Sequence, residues 1–255
     1  MATLTQSIAL VTGGSRGLGQ STALHLAQQG HDVILTYQSQ QVHAAETVAR
    51  IEALGRKAVA IALNVADTGS FDAFVAQLRQ SLQEVWGADR IQVLVNNAGS
   101  GVHAALAETN EAQFDMLMNV HFKGPFFLTQ KLLPFLADGA RVVNLSSGLT
   151  RFALPGYGAY AAMKGAVEVM TRYMAKEFGG RGIAVNTVAP GAIATDFGGG
   201  AVRDNPQLNS FVASQTALGR VGQPEDIGAM IATLVGPDNR WINAQRIEVS
   251  GGMFV

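Results

Sequence analysis

Two titratable side chains, Tyr160 and Lys164, stand four positions apart. The surrounding residues 159–178 have the composition and apolar spacing of a helix, and residues i and i+4 lie on one face of a helix. An ammonium near a phenol favours the phenolate and lowers the pKa of the phenol from about 10 toward neutrality. Such a tyrosine can act as a general acid or base. An isolated pair at this spacing is usually structural, so other residues must support a catalytic role.

Polar residues follow two apolar runs at positions where a parallel sheet would present them to a ligand. Ser146 and Ser147 come directly after the run 142–145, so the end of a strand would deliver a hydroxyl into a ligand crevice. Residues 96–99, Asn-Asn-Ala-Gly, follow the run that ends at Val95. These small and amide residues would let a cofactor ring pass close to the backbone, or they form an ordinary Asn-Gly loop.

Residues 12–19 form a glycine-rich turn between an apolar run and a helical segment. Glycine permits positive φ, and a helix N-terminus offers free N–H groups to a pyrophosphate. The same residues would also suit a tight strand–helix connection that binds no ligand. Residues 13–17 also fit G-x-S-x-G, the nucleophile elbow of the α/β-hydrolases, but only twelve residues precede Gly13 and the elbow needs an upstream loop for its oxyanion hole. Dinucleotide binding is therefore favoured.

Seven short aliphatic runs, separated by helix-length segments, predict the elements that position these residues. Continuously apolar runs are typical of a parallel sheet covered by helices on both faces. No shift in composition marks a boundary, so we predict one domain over residues 1–255, with a mobile substrate loop at about 194–209. The predicted strands are 8–11, 33–35, 58–62, 91–95, 142–145, 184–188 and 246–249. The first two predicted helices are 17–29 and 41–54.

The composition excludes several classes of function. The net charge of −1 gives no field that would attract nucleic acid or an anionic membrane. The absence of cysteine excludes disulfides, thiolate metal sites and a cysteine nucleophile, and the five histidines have no metal-binding spacing. Residues 1–7 do not resemble a signal peptide, and no run of about 18 apolar residues occurs. We therefore expect a cytoplasmic protein without a metal site.

These motifs, in this order along essentially the whole chain, resemble the short-chain dehydrogenase/reductase family. The resemblance implies an α/β fold with a Rossmann-type, doubly wound, seven-stranded parallel sheet in a single domain. It also implies reversible hydride transfer between a nicotinamide cofactor and a carbonyl or alcohol. The motifs are Thr12-Gly13-x-x-x-Gly17-x-Gly19, Asn96-Asn97-Ala98-Gly99, Asn119, Ser147, Tyr160-x-x-x-Lys164 and Pro190-Gly191.

The resemblance assigns roles to individual residues. Tyr160 would be the general acid, Ser147 would hold the carbonyl oxygen and Lys164 would bind the nicotinamide ribose, while Asn119 would support a proton-relay water. Two positions depart from the family's pattern, since Asn64 and Ser250 stand where many relatives have Asp. The implied cofactor-binding residues are Gly13, Ser15, Arg16, Gly17, Leu18, Gly19, Tyr37, Gln38, Ser39, Asn64, Val65, Asn97, Ala98, Gly99, Tyr160, Lys164, Pro190, Gly191, Ile193 and Thr195.

Residues 36–40 bear on the choice of cofactor, because an NAD site places a carboxylate beyond the second strand to bind the ribose 2'-OH. Residues 36–40 contain no acid. Arg16 could instead pair with a 2'-phosphate while Gln38 and Ser39 donate hydrogen bonds to it. The sequence therefore predicts NADP(H) rather than NAD(H).

Apolar and aromatic residues near the serine, the tyrosine and the loop predict the substrate wall. With Ser147, these are Leu149, Tyr157 and Phe197; Phe152 and Leu154 belong either to this wall or to the core. Such a wall favours uncharged ketones. We therefore predict an NADPH-dependent carbonyl reductase or alcohol dehydrogenase for small or medium hydrophobic substrates. The alternatives are a 3-oxoacyl-[acyl-carrier-protein] reductase and a non-catalytic dinucleotide sensor, although a sensor would need no proton donor.

The expected partners are a small-molecule carbonyl or alcohol and further copies of the chain, with no nucleic acid and no membrane. Residues 114–136 carry more apolar side chains than one helix face directed at its own sheet requires, and residues 253–255 are apolar as well. Full burial of each such side chain is worth roughly 1.5–3 kcal/mol. Together with the family resemblance, this predicts a homotetramer.

Overall fold

The structure is a computed structural model that describes residues 7–255. Residues 1–6, most of the segment considered as a targeting signal, lie outside the described part. Seven strands form one sheet in the order β3-β2-β1-β4-β5-β6-β7, and all neighbouring strands are parallel. This confirms the predicted seven-stranded Rossmann-type fold. The strands are β1 Ile8–Val11, β2 Asp32–Tyr37, β3 Ala58–Ala62, β4 Ile91–Asn96, β5 Leu136–Leu145, β6 Ala184–Pro190 and β7 Arg246–Val249.

Helices cover both faces of the sheet. Adjacent residues of β1 point to opposite sides, so that Ile8 and Leu10 join one buried cluster while Ala9 and Val11 join the other. Helices α3, α5 and α6 pack on the first side, and α1, α2 and α9 pack on the second. The helices are α1 Gly17–Gln28, α2 Gln41–Ala53, α3 Phe71–Ser81, α4 Glu111–Met118, α5 Gly124–Leu132, α6 Gly158–Phe178, α7 Ala201–Asp204, α8 Pro206–Ser214 and α9 Pro224–Leu234.

Strand β5 is longer than its apolar run, because it begins at Leu136 rather than at Val142. The register against β4 shifts between Ile91 and Val93, and the polar stretch around Gly139, which has φ +79°, accommodates the irregularity. Polar residues at a bulge interrupt the apolar pattern from which strands are recognised. The carboxyl end of β5, which leads to Ser147, is where the sequence predicted it.

The predicted loop at 194–209 contains short helical turns. Gly198, Gly199 and Gly200 all have positive φ and separate a 3-10 turn from α7. Helix α8 then begins where the Asn205 side chain accepts a hydrogen bond from Leu208 N and Pro206 occupies the first helical position. An Asn cap followed by Pro is a helix start signal.

A ladder of buried polar side chains crosses the sheet beneath α5 and α6. Asn96 Nδ2 donates to Asn144 Oδ1 at 2.8 Å and to Thr129 Oγ1 of α5 at 3.0 Å. Asn144 Nδ2 donates to Thr171 Oγ1 of α6 at 2.9 Å, and Thr187 Oγ1 donates to the same oxygen at 2.8 Å. The ladder therefore joins β4, β5 and β6 to the two helices.

Helices α4 and α5 are joined by a π-helical turn, Asn119–Lys123, into one continuous rod. Directly after the π-helical turn, Gly124 lies against the backbone that follows β3. A Cβ added to Gly124 would be 2.2 Å from Val65 O and 2.8 Å from Asn119 O. This close approach sets the distance between the rod and β3.

Across residues 7–255, none of the helices combines the length and apolar character that crossing a membrane requires. The same described range contains no group of three or more His, Asp or Glu side chains arranged to hold a metal ion.

The contact at Gly124 predicts the effect of adding a single methyl group. Gly124→Ala should lower the free energy of unfolding by about 1–3 kcal/mol, because both atoms that the Cβ meets belong to the backbone. Gly179→Ala is the matched control, since a Cβ there has no atom within 4 Å, and it should change stability by less than about 1 kcal/mol. Urea denaturation of both variants measures the difference. Equal stability of the two would contradict this account of the rod.

Candidate functional site

A cavity of about 430 Å³ opens at the carboxyl edge of the sheet, where β1 and β4 are neighbours and the chain reverses its direction of winding. Such a reversal leaves a crevice for ligands. Of the predicted site residues, all except Asn119 line this cavity. They are Gly13, Ser15, Arg16, Gly17, Leu18, Gly19, Tyr37, Gln38, Ser39, Asn64, Val65, Asn97, Ala98, Gly99, Ser147, Leu149, Tyr157, Tyr160, Lys164, Pro190, Gly191, Ile193, Thr195 and Phe197.

The glycine turn forms one end of the cavity. Gly13 and Gly17 have φ of +67° and +54°, and a Cβ on Gly19 would lie 2.1 Å from Gly13 O. The N-cap residue of α1 makes no side-chain capping hydrogen bond, and the first residues of the helix, Gly17 to Gly19, line the cavity. Free N–H groups and the positive end of the helix dipole bind anions such as a pyrophosphate. The backbone here fits a dinucleotide.

The turn is joined to the loop after β4 by Thr12 and Asn97. Thr12 Oγ1 accepts hydrogen bonds from Asn97 N and Ala98 N, both at 3.0 Å. Asn97 Nδ2 in return donates to Thr12 O at 2.8 Å and to Gly13 O at 3.2 Å. The residues 96–99 are therefore part of the wall and also hold the glycine turn in place.

Beyond β2, Gln38 and Ser39 follow Tyr37 and line the same cavity as Arg16. The Arg16 side chain is 56% exposed, and its Nη1 lies 3.6 Å from Asp196 Oδ2. Asp196 also pairs with Arg203 at 2.5 Å. The guanidinium of Arg16 is thus at the mouth of the cavity, in contact with a carboxylate from the segment after β6.

Tyr160 and Lys164 are both buried where α6 passes the carboxyl end of β5. Lys164 Nζ donates to Leu145 O at 2.7 Å and lies 5.7 Å from the centre of the Tyr160 ring. Burial lowers the pKa of Lys164 to about 7. Burial also raises the pKa of Tyr160, and the neighbouring Ser147 hydroxyl opposes this only in part. The expected lowering of the tyrosine pKa by Lys164 is therefore not found, because desolvation of the phenolate is the larger effect.

Asn119 is the predicted site residue that the structure does not bring to the cavity. It lies at the start of the π-helical turn, and its buried Oδ1 has no hydrogen-bond partner among the described residues. The turn instead directs His121, two residues later, to the cavity wall. One extra residue in a helical turn rotates the side chains that follow it, and this irregularity has no clear sequence pattern.

His121 is 1% exposed and packs edge-on against Tyr160, with ring centroids 5.0 Å apart. Its Nε2 lies 2.6 Å from Ser100 O, so Nε2 carries the proton and donates. Burial, reinforced by the charge of Lys164, lowers the pKa of His121 to about 3. The ring is neutral at physiological pH and holds one side of the tyrosine. In the sequence, only two features pointed to His121 as a site residue: it is a histidine, and it stands two positions after Asn119.

Asn64 and Ser250, the two departures from the family's pattern, both have local partners. Asn64 Oδ1 accepts a hydrogen bond from Ala66 N at 3.1 Å, which leaves its amide at the cavity wall. Ser250 Oγ donates to Glu248 Oε1 at 2.8 Å and accepts from Met253 N at 3.3 Å. A serine can therefore organise the turn after β7 without a carboxylate at position 250 itself.

Apolar and aromatic side chains form the other end of the cavity, beyond Ser147 and Tyr160. Phe152 and Leu154, which the sequence left between wall and core, line the cavity together with Leu149 and Tyr157. The predicted substrate loop at 194–209 contains α7 and the start of α8, but within it only Phe197 was named as part of the substrate wall. The rest of α8 and the segment after β7 were not predicted, because their distance along the chain hides their proximity. These additional lining residues are Val202, Leu208, Phe211, Val212 and Met253.

Comparisons with known proteins agree with this geometry. Residues 13–254 match the family described as enoyl-(acyl carrier protein) reductase. A short-chain type dehydrogenase/reductase from Picea abies is 36% identical, and the alignment covers 96% of this chain and 91% of that protein.

Two similar solved structures are described as proteins that reduce a keto group. One is the promiscuous reductase LugOII, which catalyses keto-reduction at C1 during lugdunomycin biosynthesis; it is 39% identical with a TM-score of 0.92, and 98% of each chain is covered. The other is the angucycline C-6 ketoreductase LanV with bound NADP, 36% identical with a TM-score of 0.93, covering 97% of this chain and 95% of that one. The shared fold, the glycine turn and the near full-length similarity show that this chain belongs to the short-chain dehydrogenase/reductase family.

Proposed function

We propose that this protein is an NADPH-dependent reductase of neutral, hydrophobic, ring-bearing ketones. The observation that carries the proposal is the continuity of one cavity from the glycine turn, past Ser147, Tyr160 and Lys164, to an end lined by aromatic and aliphatic side chains. The same site can run in reverse as an alcohol dehydrogenase.

NADP(H) is the proposed cofactor. The N-terminus of α1 would hold the pyrophosphate, and Arg16, Gln38 and Ser39 would surround the ribose 2'-phosphate with one cation and polar side chains. The loop after β2 offers no carboxylate that would repel this phosphate. The similar structure of LanV is described with bound NADP, which supports the same cofactor here.

The bound cofactor would supply the hydride, and the chain's own residues would manage the carbonyl oxygen. Ser147 Oγ would donate a hydrogen bond to that oxygen, and the Tyr160 hydroxyl would protonate it as negative charge develops. The phenol of Tyr160 is protonated at neutral pH, as proton donation requires. Burial raises its pKa and makes it a weaker acid, so the strongly basic oxygen that develops on the substrate would drive the transfer. Lys164 would bind the nicotinamide ribose. In this proposal Asn119 has no direct contact with the substrate, and His121 orients the Tyr160 ring.

The chemistry of the substrate end favours neutral ketones. Within the described residues, the wall formed by residues 149–157, Phe197 and α8 presents apolar and aromatic groups to the cavity. Such a wall desolvates a ring system without opposing charge but penalises a carboxylate. The descriptions of LugOII and LanV as ketoreductases support a ketone substrate.

A 3-oxoacyl-[acyl-carrier-protein] reductase is the second candidate, favoured by the acyl carrier protein in the description of the matching family. Binding an acidic carrier protein requires unpaired cations beside the mouth. Arg203 is there, but it pairs with Asp196 and Asp204, and Arg16 is assigned to the 2'-phosphate of the cofactor. A non-catalytic dinucleotide sensor is less favoured, because it would not require Ser147 and Tyr160 to meet at the cavity.

Replacing the proposed general acid tests the reaction. The native enzyme should oxidise NADPH with 1-tetralone faster than with an acetoacetyl thioester, and Tyr160→Phe should lower kcat by about 10²-fold or more, because no proton donor remains. The dissociation constant for NADPH should change little. Absorbance at 340 nm measures the rates.

Tyr173→Phe is the control for the loss of a phenol on the same helix, because Tyr173 is 67% exposed and lies away from the cavity. It should retain the native kcat. Near-native turnover in Tyr160→Phe would exclude the proposed proton donor, and a preference for the thioester would favour the carrier-protein alternative.

Arg16→Ala tests the choice of cofactor. Removing a charge-assisted contact to phosphate should lower kcat/KM for NADPH by about 10- to 100-fold and leave kcat/KM for NADH nearly unchanged. Arg50→Ala, an exposed arginine near the end of α2, should leave the ratio of the two cofactors at its native value. An unchanged ratio in Arg16→Ala would contradict the assignment.

We also propose that the protein assembles as a homotetramer. Large apolar side chains are exposed on the α4–α5 rod and α6, where Phe126 and Phe127 are each 40% exposed, and beside β7, where Trp241 is 99% exposed. Burial of such side chains between copies would remove their cost in water. Light scattering at micromolar protein should give a mass near four times 26.8 kDa. A mass near 26.8 kDa would overturn the proposal.

A further inference from the structure

Residues 250–254, which we call the bridging segment, follow β7 and connect two parts of the cavity wall. On one side they contact the residues after α8. Met253 forms an antiparallel bridge with Thr216, Phe254 N donates to Gln215 O at 2.9 Å, and Ala217 N donates to Gly252 O at 3.2 Å. The segment is therefore attached to the helix that covers the substrate end.

On its other side the bridging segment is held by Arg151. Its Nη1 donates to Phe254 O at 3.0 Å and its Nη2 donates to Met253 O at 2.5 Å. Nε and Nη2 also make a bidentate pair with Glu248 at 2.8 and 2.7 Å. One guanidinium thus binds two consecutive carbonyls and the carboxylate that precedes them, a planar arrangement that Lys could not reproduce.

Arg151 stands four residues after Ser147 and is placed by a short 3-10 turn. Leu149 N donates to Ser147 Oγ at 3.2 Å, and Arg151 N donates to Gly148 O at 2.9 Å. The next side chain, Phe152, packs against Phe254 with ring centroids 4.7 Å apart. The position of the bridging segment is therefore tied directly to the loop that carries the serine.

Met253 is the side chain that this arrangement delivers to the cavity. It is 2% exposed, lines the cavity and packs with Val212 of α8 and Val221 in a small apolar cluster separate from the two main cores. A flexible, unbranched side chain at this position fills the space between the serine loop and α8. Shortening it would extend the substrate end.

We propose that Met253 sets the depth of the substrate cavity and that Arg151 is the positioning residue that holds its backbone there. This inference rests on the proposed function, because it concerns the largest ketone that the substrate end of the cavity can accept. It makes residues 250–254 a determinant of which ketones are accepted, although they lie about 100 positions from Ser147 in the sequence.

The test compares a bicyclic ketone, 1-tetralone, with a tricyclic one, 9-fluorenone. Met253→Ala should raise kcat/KM for the tricyclic relative to the bicyclic ketone by tenfold or more, since a methylene in an apolar pocket changes selectivity by about 10- to 200-fold. Met253→Leu should stay within about threefold of native selectivity, because it conserves volume. Arg151→Met should shift selectivity in the same direction as Met253→Ala.

Arg220→Met is the matched control for Arg151→Met, since Arg220 makes a bidentate pair with Asp226 and has no hydrogen bond to the bridging segment. Hydrogen exchange should speed up in residues 250–254 of Arg151→Met and stay native in Arg220→Met. Unchanged selectivity in Met253→Ala overturns the proposal for Met253. Native exchange or native selectivity in Arg151→Met overturns the role of Arg151.

Calorimetric binding of the same two ketones to the protein with NADP⁺, where reduction cannot occur, separates this inference from the proposed function. If no ketone is reduced but Met253→Ala still improves relative binding of 9-fluorenone by tenfold, the function is wrong and the depth assignment stands. If ketones are reduced and neither binding nor kcat/KM shifts, the function stands and the depth assignment is wrong.

Discussion

The hydrogen bonds between Thr12 and Asn97 connect the two strands on which the site depends. Strands β1 and β4 are neighbours at the centre of the sheet but far apart in sequence, and their carboxyl ends must lie together for a crevice to form. Thr12 Oγ1 receives two backbone N–H groups from the far loop, while the Asn97 amide returns two hydrogen bonds to the turn. The loss of these hydrogen bonds would have two effects. Unpaired polar groups of Thr12 and Asn97 would destabilise the fold, and the glycine turn that binds anions would lose its support.

The pKa values of the titratable groups in the site are shifted more by burial than by pairing with other charged groups. Tyr160 and Lys164 share a helix face, as their spacing predicted, yet the ammonium binds Leu145 O and the pKa of the phenol rises. His121 is neutral beside them, with its pKa near 3. In a poorly hydrated region every charged form is disfavoured, so tyrosine, lysine and histidine all shift toward their neutral states. The phenol is therefore protonated at neutral pH but is a weaker acid than an exposed tyrosine, beside a neutral His121 and a Lys164 that is only partly charged.

Patterns with a local physical cause allowed the fold and much of the site to be predicted from sequence. The aliphatic runs predicted the strands, the glycine turn predicted the cradle at α1, and the Tyr160–Lys164 spacing predicted a shared face. The features of the site that were not predicted depend on irregular backbone geometry or on contacts between residues far apart in the sequence. A π-helical turn moves the cavity-facing position from Asn119 to His121, and Met253 reaches the site through tertiary contacts. The polar stretch at the β5 bulge interrupted the apolar pattern of that strand, whereas the helix start at Asn205–Pro206 was present in the sequence but was assigned to a loop.

The polar ladder of Asn96, Asn144, Thr171 and Thr187 constrains motion along the axis of α6. Residues in a helix rise about 1.5 Å each, so a slip by one position would separate the buried Thr171 from both of its strand partners, Asn144 and Thr187. Apolar contacts between α6 and the sheet would tolerate such sliding, because they have little directional preference. Thr171 lies about three turns beyond Tyr160 on the same helix. The ladder therefore fixes the position of α6 along its axis. This in turn fixes the position of the Tyr160 hydroxyl relative to Ser147, without help from any residue of the cavity.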